Sequence, residues 1–395
     1  MAKRRRRWRR QRCCSSDPPL AVAAAALLLL LLVVVTAAPV VDAAAAGRHV
    51  VQRHLDRINK PGVRSIHSAD GDIIDCVPRH KQRALDHPLL ANHTVQTQPS
   101  QMPASASLLD RRQQLSRRAW QTWHHSGHCP RGTVAVRRTA AADVQRARSL
   151  ALFGRKKQMR SPLPAPDVVT GNGHELTMHA IGNLRQHAIA YTAAEVYGAR
   201  ATISVWAPEI DEANGFSLSQ LWILSGSFNG SDLNSIEAGW QVSPELYGDN
   251  RPRLFTYWTD PKLGNWWLSY GDGAGGLVGY WPAELFTHLS DHATMVEWGG
   301  EVVNTHPPGS AHTATQMGSG HFAAEGFGRA AYFRNLETVD ADNSLAAVPL
   351  DAIQTMAEDA GCYDIRKAYD DDDGRGGWGA HFYYGGPGHN TASCP

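Results

Sequence analysis

The stretch Val296-Glu297-Trp298-Gly299-Gly300-Glu301-Val302-Val303-Asn304 decides the fold. It is an apolar, strand-like run that nevertheless holds two glycines, a tryptophan and two carboxylates. Leu233-Asn234-Ser235-Ile236-Glu237-Ala238-Gly239-Trp240-Gln241-Val242 is built alike, with a Glu among Gly, Trp and Val. β-branched and aromatic residues favour extended chain. Successive side chains of a strand alternate between faces, so Glu297 and Glu301 share one face. A carboxylate inside a buried strand is costly unless it is paired or functional. Two such strands point to a carboxylate pair, a common device for activating water.

Working outward, the texture is uniform from His187 to the C-terminus. Alternating aromatic-rich runs, among them 201–206, 217–224, 254–258, 265–270, 277–281, 326–333 and 381–384, are separated by Gly, Asn, Asp and Pro. Many short strands at close spacing predict an antiparallel β-sandwich or barrel, with one helix over Ala283 to Leu289. The upstream part reads differently. Apolar positions at helical spacing over His49 to Lys60, strands near 73–77 and 133–139, and a helix from Ala142 to Phe153 make a small α+β segment. A basic cluster, Arg155-Lys156-Lys157, and a proline-rich stretch, 161–166, then form a linker that proteases can reach.

At 395 residues the chain is long for one domain, which fits two units with appendages. Net charge is only +2, but residues 1–46 carry 8 basic and 2 acidic groups, residues 47–165 carry 21 and 7, and residues 166–395 carry 10 and 28. A basic segment beside an acidic one predicts mutual attraction rather than nucleic-acid binding. The basic start, the apolar run Leu20 to Val35 and the small residues up to Ala46 match a secretory signal. Left uncleaved and continued through Ala38, the run reaches spanning length and becomes a type II anchor. Downstream of this run, Cys76, Cys129, Cys362 and Cys394 form an even set; of three connectivities, charge segregation favours Cys76–Cys129 and Cys362–Cys394. Asn92 and Asn229 head glycosylation sequons.

The Ser217-Leu218-Ser219-Gln220-Leu221-Trp222 and Ile236-Glu237-Ala238-Gly239-Trp240-Gln241-Val242 runs, Leu254-Phe255-Thr256-Tyr257-Trp258-Thr259, the Glu301 stretch, Thr315-Gln316-Met317-Gly318-Ser319-Gly320-His321 and Phe382-Tyr383-Tyr384-Gly385-Gly386-Pro387-Gly388 together resemble the plant neprosin family of glutamic prolyl endopeptidases. The resemblance implies the following layout: a signal peptide or anchor over 1–46, an activation peptide over 47–160, a linker over 161–185 and a catalytic β-sandwich over 186–395. It also implies a secreted or vacuolar zymogen that cuts proline-containing peptides and uses neither metal nor cofactor. By motif its catalytic glutamates fall on Glu237 and Glu301, with Glu297 the near alternative to Glu301. Gln220, Trp222 and Gln241 are the candidates for holding substrate, water or oxyanion.

One departure is plain. Thr259 passes directly into Asp260-Pro261-Lys262, where the family has a small disulfide loop and several strands. That predicts an exposed sheet edge and an impaired, noncatalytic member as the alternative. Paired carboxylates among many tryptophans also suit a glycan-binding or glycan-hydrolysing module. His124, His125, His128 and Cys129 could hold a metal, but in a secretory chain a disulfide is favoured for Cys129; His306, His312 and His321 have no zinc spacing, and Asp370 to Asp373 lack the alternation of a calcium loop.

Overall fold

The computed structural model describes residues 48–100, 103–105, 121–147, 153, 185–227, 232–259, 265–271, 276–307, 309–369 and 377–395. The signal or anchor run, the basic cluster, the proline-rich linker, Asn229, Asp260 and the Asp370–Asp373 run lie outside them. The chain divides into two units, Met1–Arg57 and Ile58–Pro395. Residues 48–57 of the first are helical. No helix among the described residues is long and apolar enough to cross a membrane.

The second unit begins with β1 (Ser65–His67) and β2 (Ile73–Pro78), followed by β3 (Ala104–Ser105) and β4 (Thr133–Arg137). β1, β2 and β4 form a three-stranded antiparallel sheet. Ile66, Ile74 and Cys76 cluster against Trp123 and Cys129. The Cys76–Cys129 disulfide fastens β2 to the segment before β4. A small sheet has little apolar surface of its own, so a covalent tie is the usual support. Only residues 141–146 of the expected helix after β4 are described as helix, ending at Arg146.

Downstream lie β5 (Arg185–Val196), β6 (Gly198–Ile203), β7 (Ser217–Ser225), β8 (Asn234–Val242), β9 (Arg253–Thr259), β10 (Trp266–Ser269), β11 (Leu277–Trp281) and β12 (Ala293–Val303). They are followed by β13 (Ala331–Val339), β14 (Ser344–Ala347), β15 (Gln354–Ala357), β16 (Asp364–Ala368) and β17 (His381–Gly385). One six-stranded sheet runs β15-β5-β12-β7-β8-β9 and is antiparallel throughout. The other runs β16-β17-β13-β14-β3, with β6 also on β13. Val296, Trp298 and Val302 of β12 meet Phe333, Phe382 and Tyr384 of the second sheet in one apolar core. The Tyr384 hydroxyl donates to Ser219 Oγ across it at 2.5 Å. These are the features of an antiparallel β-sandwich. The Cys362–Cys394 disulfide ties the C-terminus to the turn before β16.

β12 is buried on both faces, which explains its glycine pair. A Cβ at Gly300 would lie 2.6 Å from Met317 Cγ and 2.7 Å from Tyr384 Cε2, inside the core. A Cβ at Gly299, on the opposite face, would lie 2.2 Å from the Ala188 carbonyl oxygen, at a φ of +150°. Only glycine fits such a close approach at positive φ.

The helix expected over Ala283 to Leu289 is a single 3₁₀ turn, Ala283–Leu285. Asn234 Oδ1 accepts from the backbone amides of Thr287, His288 and Leu289 at 2.9, 2.7 and 3.2 Å. These amides, which a helix would use internally, are taken by a distant side chain.

The upstream segment is seated on the sandwich. Leu90 enters the main core, and β3 adds a parallel strand to β14. His93 bonds Tyr280 Oη at 2.6 Å and Glu284 Oε1 at 3.1 Å. The attraction expected from bulk charge is only partly what is found. The His93–Glu284 pair has the expected polarity, but Asp72–Arg253, at 3.0 Å, has the reverse. Several of the segment's cations are taken by its own acids, in the pairs Lys60–Asp86, Arg137–Asp143 and Arg138–Asp75. Local pairing outcompetes a long-range field that salt screens.

Candidate active site

β7 lies between β12 and β8, and the register builds three rows across them. Glu297 stands opposite Trp222 and Trp222 opposite Glu237; Gly299, Gln220 and Gly239 form the next row; Glu301, Leu218 and Gln241 form the third. On the far side of β12, Tyr191, Ile189 and His187 of β5 complete the same rows. Cross-strand partners share a face, so Glu237, Glu297, Glu301, Gln220, Trp222 and Gln241 all belong to one surface of the sheet. The apolar part of that surface is Ile189, Leu218, Trp222, Leu224 and Met295.

The site residues expected from sequence are thus brought to one face, but with an offset. Glu297 is the carboxylate directly across from Glu237, about 10 Å away by strand spacing, while Glu301 lies about 13 Å further along β12. Glu237 and Glu301 therefore face each other diagonally and are not neighbours sharing one proton. By the same spacings their backbones stand about 16 Å apart.

Each glutamate has its own surroundings. Glu237, 3 % exposed, accepts from Gln220 Nε2 at 2.9 Å and Ser235 Oγ at 3.0 Å. Gly239 lets Gln220 lie close, since a Cβ there would be 2.5 Å from Gln220 Cβ. Gln220 Oε1 is buried and has no hydrogen-bond partner among the described residues. Glu301, 1 % exposed, binds the Arg185 guanidinium through Oε1. Its Oε2 faces His187 Nε2 at 3.8 Å, and His187 Nδ1 is bonded to Glu358 Oε1 at 2.7 Å. Burial, and then the charge of Glu297, push the Tyr191 phenol upward.

Gln241 closes the Glu301 row. Its Oε1 accepts from Tyr247 Oη at 3.2 Å. Burial pushes the Tyr247 phenol up to about 12, so it stays a donor at any working pH. The Tyr247 ring carries the Arg253 guanidinium at 4.7 Å and that of Arg137, from the upstream segment, at 6.0 Å. Asp72 in turn binds both arginines. The upstream segment is therefore coupled to the end of a site row.

Arg185, His187, Ser235 and Glu358 were not singled out by the sequence reading. Ser235 could have been found by parity, two residues before Glu237. His187 and Arg185 also follow the alternation of β5, which begins one residue before the expected domain start. Glu358 has no local signal, because only the β15–β5 pairing places it beside His187.

Metal ligation finds little support in these residues. His312, Cys362 and Cys394 come within 4.8 Å of one another, but the two sulfurs are bonded to each other. Cys129 is likewise in a disulfide. His306 is paired with Asp211 and His321 with Glu325, at separate places. Asn92 is exposed.

The whole is a two-sheet sandwich with carboxylates buried on one face, preceded by a small disulfide-tied segment seated on it. The Neprosin family profile matches residues 213–261 and 258–387, and the Neprosin activation peptide profile matches residues 65–183. The chain belongs to the neprosin family. The two catalytic-domain matches meet at 258–261, where β9 ends.

Proposed function

We propose that the chain is a zymogen-type glutamic endopeptidase that cleaves peptide bonds after proline in acid. The observation that supports this reading best is the placement of Glu237, Gln220 and Glu301 on one buried face. One carboxyl, ionised, takes a proton from water; the other, protonated, gives its proton to the scissile amide. The water oxygen attacks the carbonyl carbon directly, so no acyl-enzyme forms. Gln220, already donating to Glu237, has a buried acceptor left for the water or for a substrate N–H, and an amide beside the reacting carbon also stabilises the oxyanion. Trp222 and the apolar residues of the face supply a surface for a proline ring. Delivery is through the secretory pathway, with residues 1–46 removed as a signal or kept as an anchor.

With glutamates this deeply buried, a peptide reaches them only after the site opens, which is the behaviour of a zymogen. The test is hydrolysis of a proline-containing peptide by purified full-length chain before and after acid treatment. Activity that appears on acid treatment supports the reading; a folded, acid-treated chain with no activity counts against it.

A second reading is favoured by one observation. The family match breaks at 258–261, at the end strand of the site sheet. Loss of strands beyond β9 would leave a secreted sandwich with the glutamates but without full support for a substrate. A longer transcript across Thr259–Asp260 whose product is active, beside an inactive shorter one, would establish it.

A further inference from the structure

We infer that cutting the linker does not free the upstream segment, which stays on the sandwich at neutral pH as a second, tightly held chain; this rests on the reading of the chain as a zymogen whose linker is cut. Scission and departure are then separate steps. Two grips at different places on the sandwich hold the segment.

The first grip is on the β10–β11 hairpin. Among the described residues these strands pair only with each other, apart from the two large sheets. A two-stranded hairpin is marginal alone, and the upstream segment covers this one. The turn Pro88–Leu90 packs on the turn Ala283–Leu285 that follows β11. Leu90, 2 % exposed, joins Trp266, Trp281 and Leu285 in the main core. The Tyr280 hydroxyl accepts from the Gln96 amide at 2.9 Å and bonds His93 Nε2 at 2.6 Å. Gln96 Oε1 accepts from Asn265 Nδ2 at 3.3 Å. Departure would return Leu90 and the apolar surface under it to water, and burial of that kind outweighs an exposed ion pair.

The second grip is on the helical turn Pro244–Tyr247, which follows β8. The last carbonyls of a helix lack partners of their own. Arg146 supplies them: its Nε donates to the Glu245 carbonyl and its Nη2 to the Leu246 carbonyl, each at 3.1 Å. A Cβ at Gly248, where φ is +78°, would lie 2.9 Å from Arg146 Nη1, so the guanidinium fills the space over the turn. Asp143 holds both Arg146 and Arg137. Asp72 then joins Arg137, at 2.8 Å, to Arg253, at 3.0 Å. The Cys76–Cys129 disulfide makes the two grips one covalent body, even if the chain were cut between residues 106 and 120. Linked contacts keep each other at high effective concentration, so losing one does not release the other.

The test inserts the recognition sequence of a site-specific protease between Arg160 and Ser161 of the full-length chain and cuts it at pH 7. On size-exclusion chromatography the two fragments are expected to co-elute at the volume of the uncut chain. In a dilution series of the cut protein, Leu90→Ala is expected to weaken the complex about tenfold to hundredfold. Arg146→Gln should weaken it by less, and Lys60→Gln, which breaks the Lys60–Asp86 pair inside the segment, should leave it unchanged. Fragments that part at pH 7 in the wild type would overturn the proposal. So would a complex that neither Leu90→Ala nor Arg146→Gln weakens; if Leu90→Ala does not fold uncut, the partly exposed Arg146 decides. A cut wild type that holds together but cleaves no proline-containing peptide after acid treatment would sink the peptidase reading and leave the two-chain assembly standing.

Discussion

Gln220 shows how much one side chain in this site does. Its Nε2 bonds Glu237, and its Oε1 is a buried acceptor in the middle row between the two proposed reacting glutamates. Gln220→Ala leaves Glu237 with Ser235 and removes the amide from the reaction zone. Loss of one such group costs about 10²–10³ in kcat in other hydrolases, and we expect a fall of that order in kcat/KM with the fold retained on thermal unfolding. The candidates Glu237 and Glu301 come from the family resemblance; parity within each run adds only that Gln220 shares a face with Trp222, and Glu237 with Gln241. His187 and Glu358 were not legible, because their places beside Glu301 and His187 come from pairings across more than a hundred residues each. Alternation within a run says which side chains share a face, but not which strand lies next to it.

At the scale of elements, the Gly299-Gly300 pair sets how closely β12 approaches β5 on one side and the second sheet on the other. Gly299→Ala adds a Cβ against the Ala188 carbonyl at a positive φ. Strain and overpacking together cost about 2–4 kcal/mol. The unfolding temperature should fall by about 5–15 °C for a domain of this size, measured by thermal unfolding at neutral pH. An unchanged unfolding temperature would show that the strands are not held this tightly. The β-sandwich itself was readable from strand spacing and the aromatic alternation. The turn at Ala283 was not, because Asn234, some fifty residues away in sequence, captures the amides that a helix would use. β9 is the last strand of the site sheet.

At the scale of the molecule, the upstream segment and the sandwich form one unit whose contacts respond to acid. The Arg138 guanidinium holds the Asp75 carboxyl below its usual range, and Arg253 does the same for Asp249. A carboxyl lowered in the folded state contributes stability above its unfolded value, near 3.9, and that contribution is lost as pH falls through the folded value. The upstream sheet, which Asp75–Arg138 braces, and the Asp249–Arg253–Asp72 contact are thus expected to weaken below about pH 4 and not between pH 5 and 7. Limited proteolysis of the full chain across pH 2.5–7 should show the upstream segment becoming cleavable only in the lower range. Asp72→Asn, which removes one charge from the contact, should make it cleavable at higher pH. Bulk charge predicts an attraction of the upstream segment to the sandwich, whereas the Asp72–Arg253 pair has the reverse polarity.

The most direct test of the whole account is the activity of Glu237→Gln and Glu301→Gln beside the wild type, each as acid-treated full-length chain, on one proline-containing peptide. The account predicts cleavage after proline by the wild type and a loss of kcat by about 10² or more in each variant, with a lowered unfolding temperature in Glu301→Gln, which leaves buried Arg185 without its carboxylate. Full activity in either variant would contradict it.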